Sequence, residues 1–187
     1  MKNRILMLFC LMLAGCCFAP SNKFYVLSES LHEPIVSKKI KIGVYDILLP
    51  EYLNRPQIIL QKPQSYEVAV AEYNRWAGDL SDMLKNALIN NLRQSMPNSE
   101  VLPLAFGVAP QYVIKIEIEK FSGWLNDKAL LNVNWQILNS KGETVVYQNS
   151  DYCENVEKTY NSYVMAQSKM WANFALDISG KFKTLEH

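Results

Sequence analysis

The sequence predicts an α+β fold, a single domain in which two α-helices pack on one face of a mostly antiparallel β-sheet. Three observations lead to this prediction. Several segments alternate apolar and polar residues, as strands with one buried face do. Two segments repeat apolar residues every three or four positions, as helices do. The order of strands, helix, strands and helix lacks the βαβ rhythm of a parallel sheet.

The chain begins with the features of an export signal. Lys2 and Arg4 give a positive start, and an uncharged apolar run over residues 5–14 leads to small residues before Cys16. A positive head, a short apolar core and small residues at a cleavage point are typical of secretory signals. The apolar run has about half of the roughly 20 residues that a membrane-spanning helix needs. We therefore predict that residues 1–15 form a lipoprotein signal peptide that is removed.

Residues 13–16, Leu-Ala-Gly-Cys, resemble the lipobox of bacterial lipoproteins. The resemblance implies that Cys16 carries covalent lipid and that residues 16–23 form a lipidated tether, with no other cofactor expected. In Gram-negative lipoproteins an Asp after this cysteine favours the inner membrane. Cys17 stands there, which favours anchoring in the outer membrane, facing the periplasm. The alternative is an ordinary signal peptide in which Cys16 is incidental.

The composition after cleavage is that of a nearly neutral single domain. Removal of residues 1–15 leaves 172 residues with 17 basic and 18 acidic side chains. That length suits one domain with a real core. Because no basic block or aromatic-and-arginine stripe is present, the sequence argues against nucleic acid as a partner.

Two cysteines, Cys17 and Cys153, remain once the signal has gone and Cys16 is lipidated. The periplasm permits a disulfide between them. Free cysteine is also among the most buried residue types, and we slightly favour a buried thiol at Cys153.

The first half of the domain reads as short strands followed by a helix. Residues 24–27 and 40–44 have strand character, and residues 57–61 and 66–70 flank a turn at Pro63, which predicts a hairpin. From 79 to 96 the period changes, with leucines four residues apart at Leu80, Leu84, Leu88 and Leu92. Asp79 or Ser81 can cap this helix, and Pro97 ends it.

The second half repeats the plan with longer strands. Alternating residues predict strands over 112–118 and 131–137, and Lys141-Gly142 supplies a turn into a strand over 144–148. A final helix is predicted over 157–183. Its apolar stripe comprises Tyr160, Val164, Gln167, Trp171, Phe174, Ile178 and Phe182.

Little in the sequence favours catalysis. The two histidines are His32, in a predicted loop, and His187. His32 is therefore the sole candidate for a catalytic histidine base, and its loop position makes it a poor one. Glu117 and Glu119 share a strand face, but they alternate with isoleucines as a solvent-facing row does. The chain has no HExxH, GxSxG, Walker A or CxxC motif. We predict no enzymatic activity and no metal site.

Three motifs resemble those of the auxiliary lipoproteins of ABC-type transport systems, the group that includes the PqiC/YmbA-type lipoproteins. They are Tyr-x-Leu at 25–27, Leu-Pro-x-Tyr-Leu-x-Arg-Pro-Gln-Ile at 49–58 and Arg-Trp-Ala-x-x-Leu at 75–80. The sequence departs at Asn54, where Asp is common, and at Gly78-Asp79, where Glu-Pro is common. By this resemblance the auxiliary domain spans residues 24–184. Its family-motif residues, with a structural or an interaction role, are Leu49, Pro50, Tyr52, Leu53, Arg55, Pro56, Gln57, Arg75, Trp76 and Leu80.

The resemblance implies a non-catalytic docking component of an MCE-type intermembrane lipid transport or membrane-integrity system. The implied partners are an MCE-domain tunnel protein, an associated inner-membrane component and further copies of this chain in a homo-oligomeric ring. Candidate contact surfaces are the polar faces of the strands at Ile114 and Val133 and the aromatic residues Trp124, Tyr147 and Tyr152.

Two alternatives stay open. One is a periplasmic lipid-binding module that holds an amphiphile between helices and sheet. The other is an assembly or plug lipoprotein for an outer-membrane barrel. A filled helix–sheet interface favours docking, whereas an apolar cavity of the order of several hundred Å³ would favour lipid carriage.

Overall fold

The structure is a computed structural model that describes residues 20–28, 34, 39–62, 64–105 and 109–185. Cys16, Cys17, His32, Pro63 and His187, to which the sequence assigned roles, lie outside these residues. Within these described residues, eight strands, a 3-10 turn and two α-helices follow one another along the chain. They are β1 (Lys23–Tyr25), β2 (Lys41–Val44), the 3-10 turn (Glu51–Leu53), β3 (Gln57–Gln61), β4 (Val68–Trp76), α1 (Leu80–Ser95), β5 (Glu100–Pro103), β6 (Tyr112–Gly123), β7 (Lys128–Asn139), β8 (Thr144–Asn155) and α2 (Tyr160–Thr184).

These strands form two sheets. The larger has the order β5-β2-β6-β7-β8, and the smaller has the order β1-β4-β3. The long neighbours β6, β7 and β8 pair antiparallel, and β3 pairs antiparallel with β4. Parallel pairing joins the short strands β1 to β4 and β2 to both β5 and β6. The alternating pattern of the sequence predicted the antiparallel strands. It did not predict the parallel pairings.

One core joins the helices to the sheets. Trp135 on β7 meets Phe174 on α2 edge to face, with ring centroids 5.8 Å apart. The Nε1 of Trp171 donates to the carbonyl of Leu84 on α1 at 2.9 Å, and the hydroxyls of Ser95 and Ser179 share a hydrogen bond of 2.6 Å between the helices. All these side chains, including that of Leu84, are buried.

The start of α1 agrees with one of the two caps that the sequence offers, and α2 begins at Tyr160, three residues after its predicted start. The carboxylate of Asp79 accepts from the backbone N–H of Asp82 at 3.0 Å, so Asp79 caps α1. Ser81, the other candidate, instead donates to the carbonyl of Ile47 at 2.7 Å. Thr159 caps α2 through the N–H of Ser162. The predicted stripe on α2 is buried apart from Tyr160, which is half-buried.

The α+β class with two helices is confirmed, and three local predictions are corrected. Strand β4 continues to Trp76, beyond the strand that the sequence predicted over residues 66–70, and β5 was not predicted. Cys153 is exposed, so the prediction of a buried thiol is wrong. The reason is its register: Cys153 has the same parity on β8 as the exposed Asn149 and Asp151.

Two glycines allow a matched test of packing. A Cβ on Gly123 would lie 2.6 Å from the carbonyl oxygen of Lys128 and 2.7 Å from the Cα of Ala129, both backbone atoms of β7. We expect Gly123→Ala to lower the free energy of unfolding by about 1–3 kcal/mol, because the ladder must move apart. Gly180, inside α2, has open space around its Cβ position, and Gly180→Ala should raise that free energy by about 0.5–1 kcal/mol. Urea unfolding of both variants measures these two free energies, and changes of equal sign and size would contradict the prediction.

Candidate functional site

The small sheet brings the three sequence motifs together. Tyr25 of the first motif lies opposite Trp76 of the third, and Gln57 of the second lies opposite Arg75. The backbone N–H of Trp76 donates to the carbonyl of Pro56 at 2.7 Å, and that of Ala77 donates to the carbonyl of Tyr25 at 2.8 Å. Residues far apart in the sequence thus form one continuous hydrogen-bonded unit.

The second motif forms a rigid elbow before β3. The 3-10 turn closes when the N–H of Leu53 donates to the carbonyl of Pro50 at 2.9 Å. Leu53 is buried, and Leu49 and Tyr52 pack partly buried against the core. Pro50 and Gln57 are also half-buried, whereas Arg55 and Pro56 are exposed. Leu49, Tyr52 and Leu53 thus pack into the fold, whereas Arg55 and Pro56 lie at its surface.

The third motif divides between the core and the surface. Trp76 and Leu80 are buried, and the ring of Trp76 lies 6.1 Å from that of Phe121 on β6. Arg75 is half-buried on the opposite face of β4. Its Nε is enclosed and has no hydrogen-bond acceptor among the described residues. Arg75 therefore places a cationic guanidinium on the side of β4 away from the core, and such a group forms strong hydrogen bonds with anionic partners.

A buried polar link fixes the small sheet to the rest of the domain. The Nε2 of Gln167 on α2 donates to the carbonyl of Ser122 on β6 at 3.0 Å and to the hydroxyl of Tyr163 at 3.1 Å. The hydroxyl of Tyr163 makes a long bond of 3.4 Å to the carbonyl of Ile59 on β3. Burial raises the pKa of Tyr163 above its ordinary value of 10.0, so the phenol stays a donor. The sequence feature that could have indicated this buried link is Gln167, the one polar residue besides Tyr160 in the apolar stripe of α2.

The face of the large sheet that points away from the core carries a polar network, which we call the polar sheet face. Asn132 donates to Asn149 at 3.1 Å and to Asp151 at 2.6 Å, and Asn149 donates to Asn134 at 2.7 Å. Asn134 in turn donates to Glu119 on β6. Because these bonds tie side chains of three strands to one another, the face presents amide and carboxylate groups in a fixed arrangement.

Exposed apolar groups border the polar sheet face at one end. Tyr147 and Leu48 are exposed, and they line a cleft of about 150 Å³ with Lys115 and Gln136. The two other aromatic candidates differ from Tyr147, because Trp124 and Tyr152 are partly buried against the core. Polar groups with an aromatic edge suit contact with another protein.

The geometry gives catalysis little support. Glu117 and Glu119 are both exposed, and Glu119 is the residue at a register shift in β6. In the part of the chain that the structure describes, no group of three or more His, Cys, Asp or Glu side chains could hold a metal ion.

The space between the helices and the large sheet is filled. The side chains that meet there are fully buried, and they include large aromatic ones on both sides: Leu84, Leu88, Trp135, Trp171, Phe174 and Ile178. The clefts of the surface are lined partly by polar or charged residues, for example Glu154 and Lys169 in one of about 450 Å³. A packed interface of this kind offers no room for an acyl chain where the lipid-carriage alternative requires it.

Neither helix among the described residues combines the length and the apolar character that crossing a membrane requires.

Comparison with known proteins gives concordant results. Residues 25–179 match the sequence pattern of the family described as the ABC-type transport auxiliary lipoprotein component. The intermembrane transport lipoprotein PqiC of Escherichia coli is 24% identical over 189 residues, which covers 99% of this chain and 100% of that protein. A crystal structure of an uncharacterised protein superposes with a TM-score of 0.74 at 18% identity, and one from Xanthomonas campestris with 0.69 at 15%. Each covers 87% of this chain and 99% of the other, and at such identities they show a shared fold.

Proposed function

The chain belongs to the ABC-type transport auxiliary lipoprotein family, and from this premise we propose that it is a docking component, without catalysis, of an MCE-type intermembrane lipid transport or membrane-integrity system. In this proposal lipid on Cys16 holds it in the outer membrane, with the folded domain in the periplasm. Its partners are an MCE-domain tunnel protein with its inner-membrane component, and other copies of this chain in a ring.

The observation that supports docking over carriage is the filled helix–sheet interface. Trp135, Trp171 and Phe174 occupy the space in which a lipid-binding module would hold its ligand. The polar sheet face and its aromatic edge at Tyr147 are, by contrast, uncovered and ordered by hydrogen bonds. A rigid exposed face costs little conformational entropy when a partner binds it.

The outer-membrane location rests on the residue that follows the lipidated cysteine. Cys17 stands where Asp would favour retention in the inner membrane. The E. coli relative is called an intermembrane transport lipoprotein, and a component at the outer membrane would meet the far end of a tunnel that crosses the periplasm.

A crosslinked pull-down of the membrane-anchored protein, read out by mass spectrometry, tests the function. We expect an MCE-domain protein to be recovered, and we expect its yield to fall in a Cys16→Ala control, because the free domain is no longer concentrated at the membrane. Recovery of a single outer-membrane barrel, or of bound lipid without a protein partner, would sink the docking proposal and favour one of the two alternatives.

A further inference from the structure

The outer face of the small sheet exposes apolar side chains next to one another. Phe24 is 63% exposed, Val26 is 64% exposed, and Tyr73 on the neighbouring strand is 38% exposed. The residues that alternate with the first two, Tyr25 and Leu27, pack against the core. Single exposed apolar residues are ordinary on a protein surface, but three on one face of a three-stranded sheet indicate that the face is covered.

Basic groups accompany these apolar side chains. Arg75 lies opposite Phe24 in the parallel pairing, hence on the same face, and its enclosed Nε has no acceptor among the described residues. Lys23 and Lys158 line a cleft of about 710 Å³ beside β1. Two acidic residues, Glu72 and Glu157, are close to these basic residues in the sequence. The three basic and two acidic side chains together leave a net charge of about +1. Aromatic side chains together with snorkelling Arg and Lys are characteristic of the interfacial layer of a bilayer.

The position of the lipidated residue identifies what covers the face. Six residues lie between Cys16 and Lys23, the first residue of β1, and the seven residue-to-residue steps span at most about 25 Å when fully extended. Pro20 and Ser21 line the cleft beside β1, so the chain enters the domain there. With Cys16 held at the membrane, β1 is the strand that lies nearest to it in the chain.

We propose that the face formed by Phe24, Val26, Tyr73 and Arg75, called here the β1 face, rests on the phospholipid surface and orients the domain on it. The proposal rests on the lipid anchor of the proposed function. Phe24 and Val26 enter the interfacial layer, and Arg75 donates to lipid phosphate. The protein thereby has a second membrane-binding element besides its acyl chains. The opposite end of the domain stays free for a partner.

Tryptophan quenching in vesicles tests the contact directly. The acylated full chain is reconstituted in vesicles of phosphatidylethanolamine and phosphatidylglycerol with brominated acyl chains, which quench nearby tryptophan. We expect Phe24→Trp to lose a larger fraction of its emission than the unsubstituted protein does. The matched control is Tyr147→Trp, also at an exposed aromatic position but on the large sheet, and it should show no added loss.

Two variants that each remove one positive charge test the role of Arg75. In the Phe24→Trp background, Arg75→Gln should reduce quenching, whereas Lys183→Gln should leave it unchanged. Lys183 lies near the end of the 25-residue α2, whereas Tyr160 at its beginning contacts Tyr25 of β1. At about 1.5 Å per residue, the two ends of that helix are more than 30 Å apart. Equal behaviour of the two variants would remove Arg75 from the contact.

The anchor and the contact fail in different ways. Intact-mass analysis that shows acylated protein, together with no added quenching at Phe24→Trp, would overturn the contact and leave the anchor in place. Blue-shifted emission of Phe24→Trp in the non-acylated Cys16→Ala chain, measured in buffer without vesicles or detergent, would assign the face to a second copy of the chain and overturn the contact as well. Protein without acyl groups would overturn the anchor and the contact together.

Discussion

Replacement of Trp171 by alanine is expected to lower the free energy of unfolding by about 3–5 kcal/mol, the usual cost of removing a buried aromatic side chain. Trp171 lies at the junction of both helices with the large sheet. Its ring centroid is 5.0 Å from that of Phe174, which in turn contacts Trp135. Its Nε1 donates to the carbonyl of Leu84, so the substitution also removes a hydrogen bond between α2 and α1. A loss of this size is a large part of the stability of a single domain.

Urea unfolding, followed by far-ultraviolet circular dichroism, measures the effect. Tyr147→Ala is the matched control, because it removes an aromatic side chain that is exposed, and its free energy of unfolding should change by no more than about 0.5 kcal/mol. A Trp171→Ala variant that unfolds like the Tyr147→Ala variant would show that the helix–sheet interface is not packed as described. The filled interface is also the observation behind the docking proposal, so this result would weaken that proposal too.

The second large effect concerns the anchor: Cys16→Ala should move the protein from the membrane fraction to the soluble fraction of the periplasm. Each buried CH2 contributes about 0.8 kcal/mol, so the loss of two or more acyl chains removes nearly all of the binding free energy. Neither described helix offers a membrane-spanning replacement. In our proposal the β1 face adds only a weak interfacial contact, and a salt wash screens the attraction of Arg75 to lipid phosphate.

Fractionation after a salt wash, with intact-mass analysis of each fraction, checks this expectation. Cys153→Ala is the control, because it removes an exposed thiol without touching the lipobox, and that variant should stay in the membrane fraction with its acyl mass. Cys16→Ala protein that is found processed in the washed membranes would contradict lipid anchoring at this position. It would favour the alternative of an ordinary signal peptide.

Most of the elements were predictable because their patterns are local. Leu80, Leu84, Leu88 and Leu92 predicted α1, since a stripe at this spacing has to face a core. The alternation in β6 and β7 predicted two long strands with one polar face, and the structure buries Ile114, Val133 and Trp135 as that pattern requires. The sequence left the cap of α1 open between Asp79 and Ser81, and the structure shows that Asp79 is the cap.

The elements that were missed lack a local pattern. β5 is four residues long, ends in a proline and has a single buried residue, Val101, so its sequence does not distinguish it from a loop. It becomes a strand because β2 offers it a parallel edge. Cys153 was assigned to the core by residue type, whereas its side of the strand is set by the pairing of Cys153 with Leu130.

The candidate site shows the same division. The sequence supplied the motif residues, including Arg55, Arg75 and Trp76, through their resemblance to a family. It did not show that Arg75 is half-buried and lacks an acceptor among the described residues, or that Phe24 lies beside it. Those facts depend on a parallel pairing between residues about fifty positions apart, which no periodicity within β1 or β4 specifies.

The sequence by itself determined the predicted export signal, the lipobox, the two helices, the long antiparallel strands and the family. The signal and the lipobox depend on residue types within one short segment, and the family depends on three such segments. The helices and strands depend on a side-chain period that directly reflects burial. Only the tertiary structure decided that the strands divide into two sheets, that the three motifs meet on the smaller one and that the helix–sheet interface is filled. Non-local pairing and packing depend on which distant segments meet, and that is decided by the free energy of the whole chain and not by any segment.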